Sequence, residues 1–207
     1  MRYPLPLQRL IETFLLLPGV GRRTAIRFAY HIVRSDSRRV KELSQALLLV
    51  QQELRLCEKC RQLSEAVLCP ICANSSRNGS QLCVVAEDNA ITAIEQTGAF
   101  QGLYFVLGGT LDPVAGIDAT NLPIAELLAR IKPDVTEVLL AFDSDTAGET
   151  TTSYLKQELR QRANIRITQL ARGMATGALL EYADEITLQN AILGRREDKG
   201  ISASEEQ

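Results

Sequence analysis

The chain has no tryptophan, one histidine and two methionines, and only 5% of its residues are aromatic. With 45% hydrophobic residues a core is still available, but its bulk must be aliphatic. No apolar run reaches the ~18 residues of a membrane span. Met1-Arg2-Tyr3-Pro4 lacks the charged, apolar, then small order of a secretory leader. The expected location is therefore the cytosol. No internal repeat and no low-complexity tract is present. His31, the only histidine, falls at a helical position between two stripes of residues and is expected to be structural, not catalytic. A length of 207 residues accommodates one medium domain or two or three small ones.

The formal net charge of −2 conceals a strong asymmetry. Residues 1–61 hold 12 Lys+Arg against 5 Asp+Glu, a surplus of seven positive charges. Residues 62–207 hold 11 against 20, a surplus of nine negative charges. An anion-binding face is expected in the first third.

Four of the five cysteines form two Cys-x-x-Cys pairs, Cys57/Cys60 and Cys69/Cys72, with eight residues between the pairs. Such spacing places four thiolates at the corners of a tetrahedron, the geometry of structural Zn²⁺. Four sulfurs leave no open coordination position, so the ion would be structural. Dithiol exchange is the competing use of Cys-x-x-Cys, but it needs one pair opening a helix after a strand. In a reducing compartment clustered cysteines favour metal over disulfides. Cys83, in Leu82-Cys83-Val84-Val85, reads as a small buried hydrophobe.

Before the cysteines the pattern is helical. Leu7, Leu10, Ile11, Phe14, Leu15 and Leu17 follow one face. Pro18-Gly19-Val20-Gly21 breaks it, with two glycines able to take positive φ, and a second helix is expected from about Arg22 to Val33. Ala25, Phe28, Ala29 and Ile32 form its apolar stripe, while Arg23, Arg27 and Arg34 form another. The backbone N–H groups of a Gly-x-Gly turn opening a helix suit a phosphate oxygen. This arrangement resembles the helix-hairpin-helix motif, which grips a nucleic-acid backbone; Gly19, Gly21, Arg22, Arg23 and Arg27 are the candidate DNA contacts. A third helix, capped near Ser35–Ser37, carries Val40, Leu43, Leu47, Val50 and Leu54 as an a/d seam, for packing within the domain or against a second copy.

Beyond a polar link (Asn74–Ser80), short apolar runs alternate with helices. Strands are expected at Leu82–Ala86, Leu103–Leu107, Glu137–Phe142 and Ile165–Leu170, and helices near Asn89–Thr97, Leu122–Ile131 and Ala147–Arg162. This implies a mostly parallel sheet covered by helices, with ligands at the C-terminal strand ends. Ala86-Glu87-Asp88, Gly108-Gly109 and Asp143-Ser144-Asp145-Thr146-Ala147-Gly148-Glu149 fall there. Glu87, Asp143, Asp145 and Glu149 form a candidate Mg²⁺ or partner-docking set, although acidic residues also serve there as helix caps. The acidic residue after one strand and Asp-x-Asp after the third resemble the Toprim domain of topoisomerases, bacterial primases and related nucleases.

The order of parts resembles the bacterial recombination mediator family RecR over almost the whole chain. Carrying the resemblance are Leu17-Pro18-Gly19-Val20-Gly21, the four cysteines, Leu82-Cys83-Val84-Val85, Ala93-Ile94-Glu95-Gln96-Thr97-Gly98, Tyr104-Phe105-Val106-Leu107, Asp112-Pro113, Gly116-Ile117, Ala171-Arg172-Gly173, Leu180-Glu181-Tyr182-Ala183-Asp184-Glu185 and Gly194-Arg195-Arg196-Glu197. It implies an α/β multidomain chain: a helix-hairpin-helix region (1–56), a four-cysteine zinc finger (57–78), a Rossmann-like Toprim domain (79–178) and a C-terminal oligomerisation segment and tail (179–207). It further implies a non-enzymatic DNA clamp, a homotetrameric ring at the nucleoid, working with RecO or RecF at gaps and single-strand/double-strand junctions to help RecA replace single-strand-binding protein. The family's DNA contacts fall on Arg23 and Arg27. Residues 179–197 would wrap onto a neighbouring subunit, with Ile186, Leu188, Ile192 and Leu193 as the helix's apolar positions.

Two departures bear on chemistry. Relatives usually carry Glu directly after Val-Val, where Ala86 stands here with Glu87 one place on, and a shift of one residue on a strand reverses the face. Relatives usually read Asn-Pro-x after the third strand, where Asp143-Ser144-Asp145 stands here, while Gly148-Glu149 is retained. The alternative expectation is a Mg²⁺-dependent nuclease using Glu87, Asp143 and Asp145.

Overall fold

The structure is a computed structural model, and it describes residues 3–161 and 165–195. The chain divides into two compact units between Arg55 and Leu56. Arg162, at the end of one expected helix, and residues 196–207 of the expected C-terminal segment lie outside the described residues.

The first unit is helical: α1 (Leu5–Leu15), α2 (Arg22–Arg34) and α3 (Ser37–Glu53). Its core is small. Ile11 of α1 and Ala25 and Ala29 of α2 are buried, flanked by Leu7, Leu10, Phe14 and Val20. Two alanines four apart put methyl-sized side chains on one face of α2, so the helices pack closely. Phe14 and Phe28 meet edge-to-face with centroids 5.8 Å apart. Asp36 caps α3, its side chain accepting from the Arg39 N–H at 2.9 Å. The expected seam of α3 is mostly uncovered: none of its residues is buried, and Leu43, Leu47 and Val50 are exposed. Val40, Leu43 and Leu47 line an open apolar groove with Leu10, Phe14 and Ile32. His31 is exposed in the last turn of α2.

The second unit begins with a short ribbon, β1 (Arg55–Leu56) and β2 (Leu63–Ser64), and one helical turn, α4 (Pro70–Ala73). A four-stranded parallel sheet follows in the order β4-β3-β5-β6: β3 (Asn78–Val85), β4 (Gly102–Val106), β5 (Glu137–Ala141) and β6 (Arg166–Gln169). Period-two alternation divides the central strand between two cores. Leu82 and Val84 join Phe105, Val138 and Leu140 under α6 (Ile124–Arg130) and α7 (Thr146–Arg160). Cys83 and Val85 join Tyr104, Val106 and Ala141 under α5 (Asp88–Gln96). Cys83 is fully buried, as expected, and burial pushes its thiol up to about 12. A 3₁₀ turn (Leu180–Tyr182) and α8 (Glu185–Leu193) end the described chain. Among the described residues no helix is long and apolar enough to cross a membrane.

β3 starts four residues earlier than its apolar run suggests. Asn78 pairs with Gly102, its N–H donating to the Gln101 carbonyl at 2.8 Å, and the register shifts before Leu82. The hydrophilic run Asn78-Gly79-Ser80 hides this part of the strand from a hydrophobicity reading. Just ahead of it, Arg77 forks onto Glu95 of α5 (3.0 and 2.7 Å) and donates to the Gly102 carbonyl at 2.9 Å. The Tyr104 hydroxyl donates to the same carboxylate at 2.6 Å. The Arg77 guanidinium, hydrogen-bonded to Glu95, holds that carboxyl below the usual range. Burial and the Glu95 carboxylate push the Tyr104 phenol up.

A carboxyl depressed by folding stabilises fully above its unfolded pKa of about 4.3, and the gain is lost as pH falls through the lower folded value. Arg77 is 9% exposed, so its loss of a partner is costly. Glu95→Gln is expected to destabilise the chain by about 2–3 kcal/mol near neutral pH, with the difference from wild type shrinking in acid-limb unfolding curves; parallel curves down to about pH 3, well below the unfolded carboxyl range, would remove this account.

Candidate metal centre and nucleic-acid interface

The cysteines sit in two turns that the backbone builds for them. Cys57 donates its N–H to the Gln62 carbonyl at 2.8 Å, and the Arg61 N–H returns to the Cys57 carbonyl at 2.9 Å. This turn needs Arg61 at φ 64°, the only positive φ of a non-glycine among the described residues. Such a conformation costs roughly 1–3 kcal/mol, and the Arg61 side chain is tied to α6, its Nη1 donating to both carboxylate oxygens of Glu126 at 3.1 and 2.8 Å. The second turn opens α4, where Pro70 occupies the first helical turn and the Cys69 sulfur caps, accepting from the Cys72 N–H at 3.4 Å. The Cys69 N–H donates to the Cys57 sulfur at 3.3 Å.

All four sulfurs lie within 4.8 Å of one another, Cys60 and Cys69 at 3.5 Å. A tetrahedral ion with ~2.3 Å bonds to sulfur needs S···S separations of about 3.8 Å, so the cluster fits a metal such as zinc. Cys57, Cys60 and Cys69 are buried and Cys72 is half-buried. Protons are already unevenly shared: hydrogen bonding from Cys60 draws the Cys72 thiol down to about 6, while the bond to Cys72 and burial push Cys60 up. A cation replacing those protons lets all four ionise.

The cluster belongs to the sheet. The Val106 N–H, on the outer edge of β4, donates to the Cys60 carbonyl at 2.8 Å. The Leu63 N–H donates to Asp88 of α5 at 3.2 Å, and Ile71 packs against both the sulfur cluster and the α5 core.

The acidic residues at the strand ends are not gathered in this way. Among the described residues the four cysteines are the only grouping of three or more side chains placed to share a metal ion. Glu87 is exposed at the start of α5 without a capping bond, and Asp143 is exposed after β5. Asp145 caps α7, accepting from the Gly148 N–H at 2.7 Å. Glu149 is ion-paired with Arg172. A methyl on Gly148 would run into the Asp143 carbonyl oxygen, so glycine is required where this helix starts. The partners Arg172, Glu126 and Glu95 carry no local sequence signal, because each pair joins residues far apart in the chain.

In the first unit the interhelical turn is closed by Val20 N–H donating to the Leu17 carbonyl at 3.1 Å. Only Gly19 takes positive φ (73°); Gly21 is extended and precedes α2 without a side-chain cap. Nothing lies within 4 Å of where a side chain would project from either glycine, so this backbone is bare. Arg22, Arg23, Arg27 and Arg34 are exposed, and no carboxylate among the described residues pairs with them. At ~100° per residue Arg23, Arg27 and Arg34 share the side of α2 opposite Ala25 and Ala29.

Helical hairpin, four-cysteine centre and parallel αβ sheet together define a helix-hairpin-helix and Toprim protein. Family models agree: RecR helix-hairpin-helix matches residues 7–50, Toprim domain residues 80–171, and RecR C-terminal residues 173–196. The chain is 44% identical over 196 residues to the recombination protein RecR of Gloeobacter violaceus, covering 94% of this chain and 99% of that one. It is 43% identical over 196 residues to that of Thermosynechococcus vestitus (94% and 96%) and 41% identical over 198 residues to that of Bifidobacterium longum subsp. infantis (95% and 98%). The chain belongs to the RecR family of recombination proteins.

Two outcomes test the site geometry. Chelation of any metal bound there, or Cys69→Ser, is expected to accelerate hydrogen exchange at the Val106 amide ahead of the amides of β5; unchanged protection of Val106 would show that the turn does not depend on the sulfurs. Asp145→Ala is expected to cost about 1 kcal/mol through the lost cap, and Asp145→Ser to retain most of it in thermal melts.

Proposed function

We propose that the protein is a RecR-type recombination mediator, a DNA clamp that acts with RecO or RecF to help load RecA on gapped single-stranded DNA. The observation that carries this reading is the arginine face of α2, exposed, without carboxylate partners and set directly behind a bare glycine turn. Gly19 and Gly21 offer backbone N–H groups to a phosphate, and Arg22, Arg23 and Arg27 offer guanidinium groups along the same strand. Contacts of this kind hold the backbone without reading bases. The ion in the four-cysteine centre is Zn²⁺, in a structural role.

Self-assembly into a tetrameric ring is supported by apolar surface that one copy leaves uncovered. Leu43 and Leu47 of α3 are exposed in the first unit. Leu180, Tyr182, Ile186, Ile192 and Leu193, around α8, are exposed in the second. The clamp acts without cutting DNA. Ala86 stands in place of a first-strand carboxylate, Asp145 caps a helix and Glu149 is paired, so the acidic set serves to shape a partner-docking surface. The setting is the cytoplasm, at the nucleoid.

Arg23→Ala and Arg27→Ala are each expected to weaken binding to gapped DNA for all sequences alike, and to lower the slope of log affinity against log salt by roughly one. A double variant that binds as wild type does would displace the interface from this face. Ile186→Glu is expected to shift the native mass towards smaller assemblies with zinc content unchanged.

A further inference from the structure

One aromatic side chain stands in the arginine row of α2. At ~100° per residue, Arg23, Arg27, Tyr30 and Arg34 fall within about 60° of one another, in a row ~16 Å long on the side opposite Ala25 and Ala29. Tyr30 therefore lies one turn beyond Arg27 and one turn before Arg34. It is 38% exposed and takes no part in the core around Ile11, Ala25 and Ala29. Two contacts orient its ring. The Arg34 guanidinium lies over it, 5.9 Å from the centroid, and Tyr3 meets it edge-to-face at 6.5 Å. Phe28, the other exposed ring of this helix, falls outside the row and is met by Phe14 of α1.

A single exposed aromatic residue is ordinary. A ring set among guanidinium groups that no carboxylate neutralises is a different matter, because it offers what they cannot. Guanidinium groups hold the phosphates of a duplex and of a single strand alike. A flat ring beside them takes the face of a base, and only an unpaired strand has base faces to give, since those of a duplex are stacked on one another. Resting on the DNA-clamp reading above, we infer that Tyr30 is a nucleobase-stacking platform, and that the arginine row thereby favours single-stranded over duplex DNA. A base that takes the place of the Arg34 guanidinium over the ring releases that group to the adjoining phosphate.

The full-length chain tests this with labelled oligo(dT) and a duplex of equal length, at several salt concentrations, with thermal melts alongside. Tyr30→Leu, which keeps apolar bulk without an aromatic face, is expected to weaken oligo(dT) binding roughly 5–150-fold. Duplex affinity and the salt slope are expected to stay as in wild type, because no phosphate contact is lost. Tyr30→Phe is expected to bind both as wild type does. Irradiating wild type with an iodouracil-substituted single strand is expected to crosslink Tyr30, a readout that needs no variant to fold. Tyr30→Leu binding oligo(dT) as wild type does, or losing both affinities in equal proportion, overturns the stacking assignment alone. So does a crosslink that maps elsewhere. Wild type and the Arg23→Ala/Arg27→Ala double variant binding DNA equally well overturn the DNA face itself.

Discussion

An open parallel sheet must end somewhere, and its outermost strand offers unpaired N–H and C=O groups to any passing chain. In this protein the outer edge of β4 is closed by the cysteine turn, through the Val106 N–H and the Cys60 carbonyl. That bond ties the last residue of the edge strand to the sulfur-bearing turn. The first turn holds Arg61 in a left-handed conformation, and Glu126 of α6 holds Arg61. The ribbon after it reaches Asp88 of α5 on the other side of the sheet. The cysteine element therefore straddles the edge, with one foot on the helix of each core.

The two units solve different problems with opposite charge. The first exposes guanidinium groups that no neighbour neutralises, so their field points outward. The second has paired many of its acids: Glu95 with Arg77, Glu126 with Arg61, Glu137 with Arg166, Glu149 with Arg172. Those four carboxylates are internal fastenings of an otherwise acidic unit. Asp145 follows the same logic by capping a helix.

Much of this is legible in the sequence because the signals are local. Period-two runs at Val84-Val85 and Tyr104-Phe105, the helical stripe of α2 and the Cys-x-x-Cys pairs each announce their geometry within a few residues. Where the sequence falls short, the determinant is distant or polar. The first residues of β3 are hydrophilic and become strand only because Gly102 lies beside them. The Arg77–Glu95–Tyr104 clamp needs three elements to be placed before it exists. The acidic crest is legible as residues but not as geometry, since caps and ligands draw on the same side chains at the same strand ends. The turn pattern gives Gly21 the same conformational freedom as Gly19, yet the entry to α2 needs only an extended residue there.

The fifth cysteine carries a consequence for chemical handling of the molecule. Cys83 lies sealed between the central strand and α5, its thiol held in the neutral form by its surroundings. A neutral, enclosed thiol is a poor nucleophile. Alkylating reagents that meet the folded chain therefore find reactive thiols in the four-cysteine turns and not at Cys83, and damage there reaches the sheet at its rim.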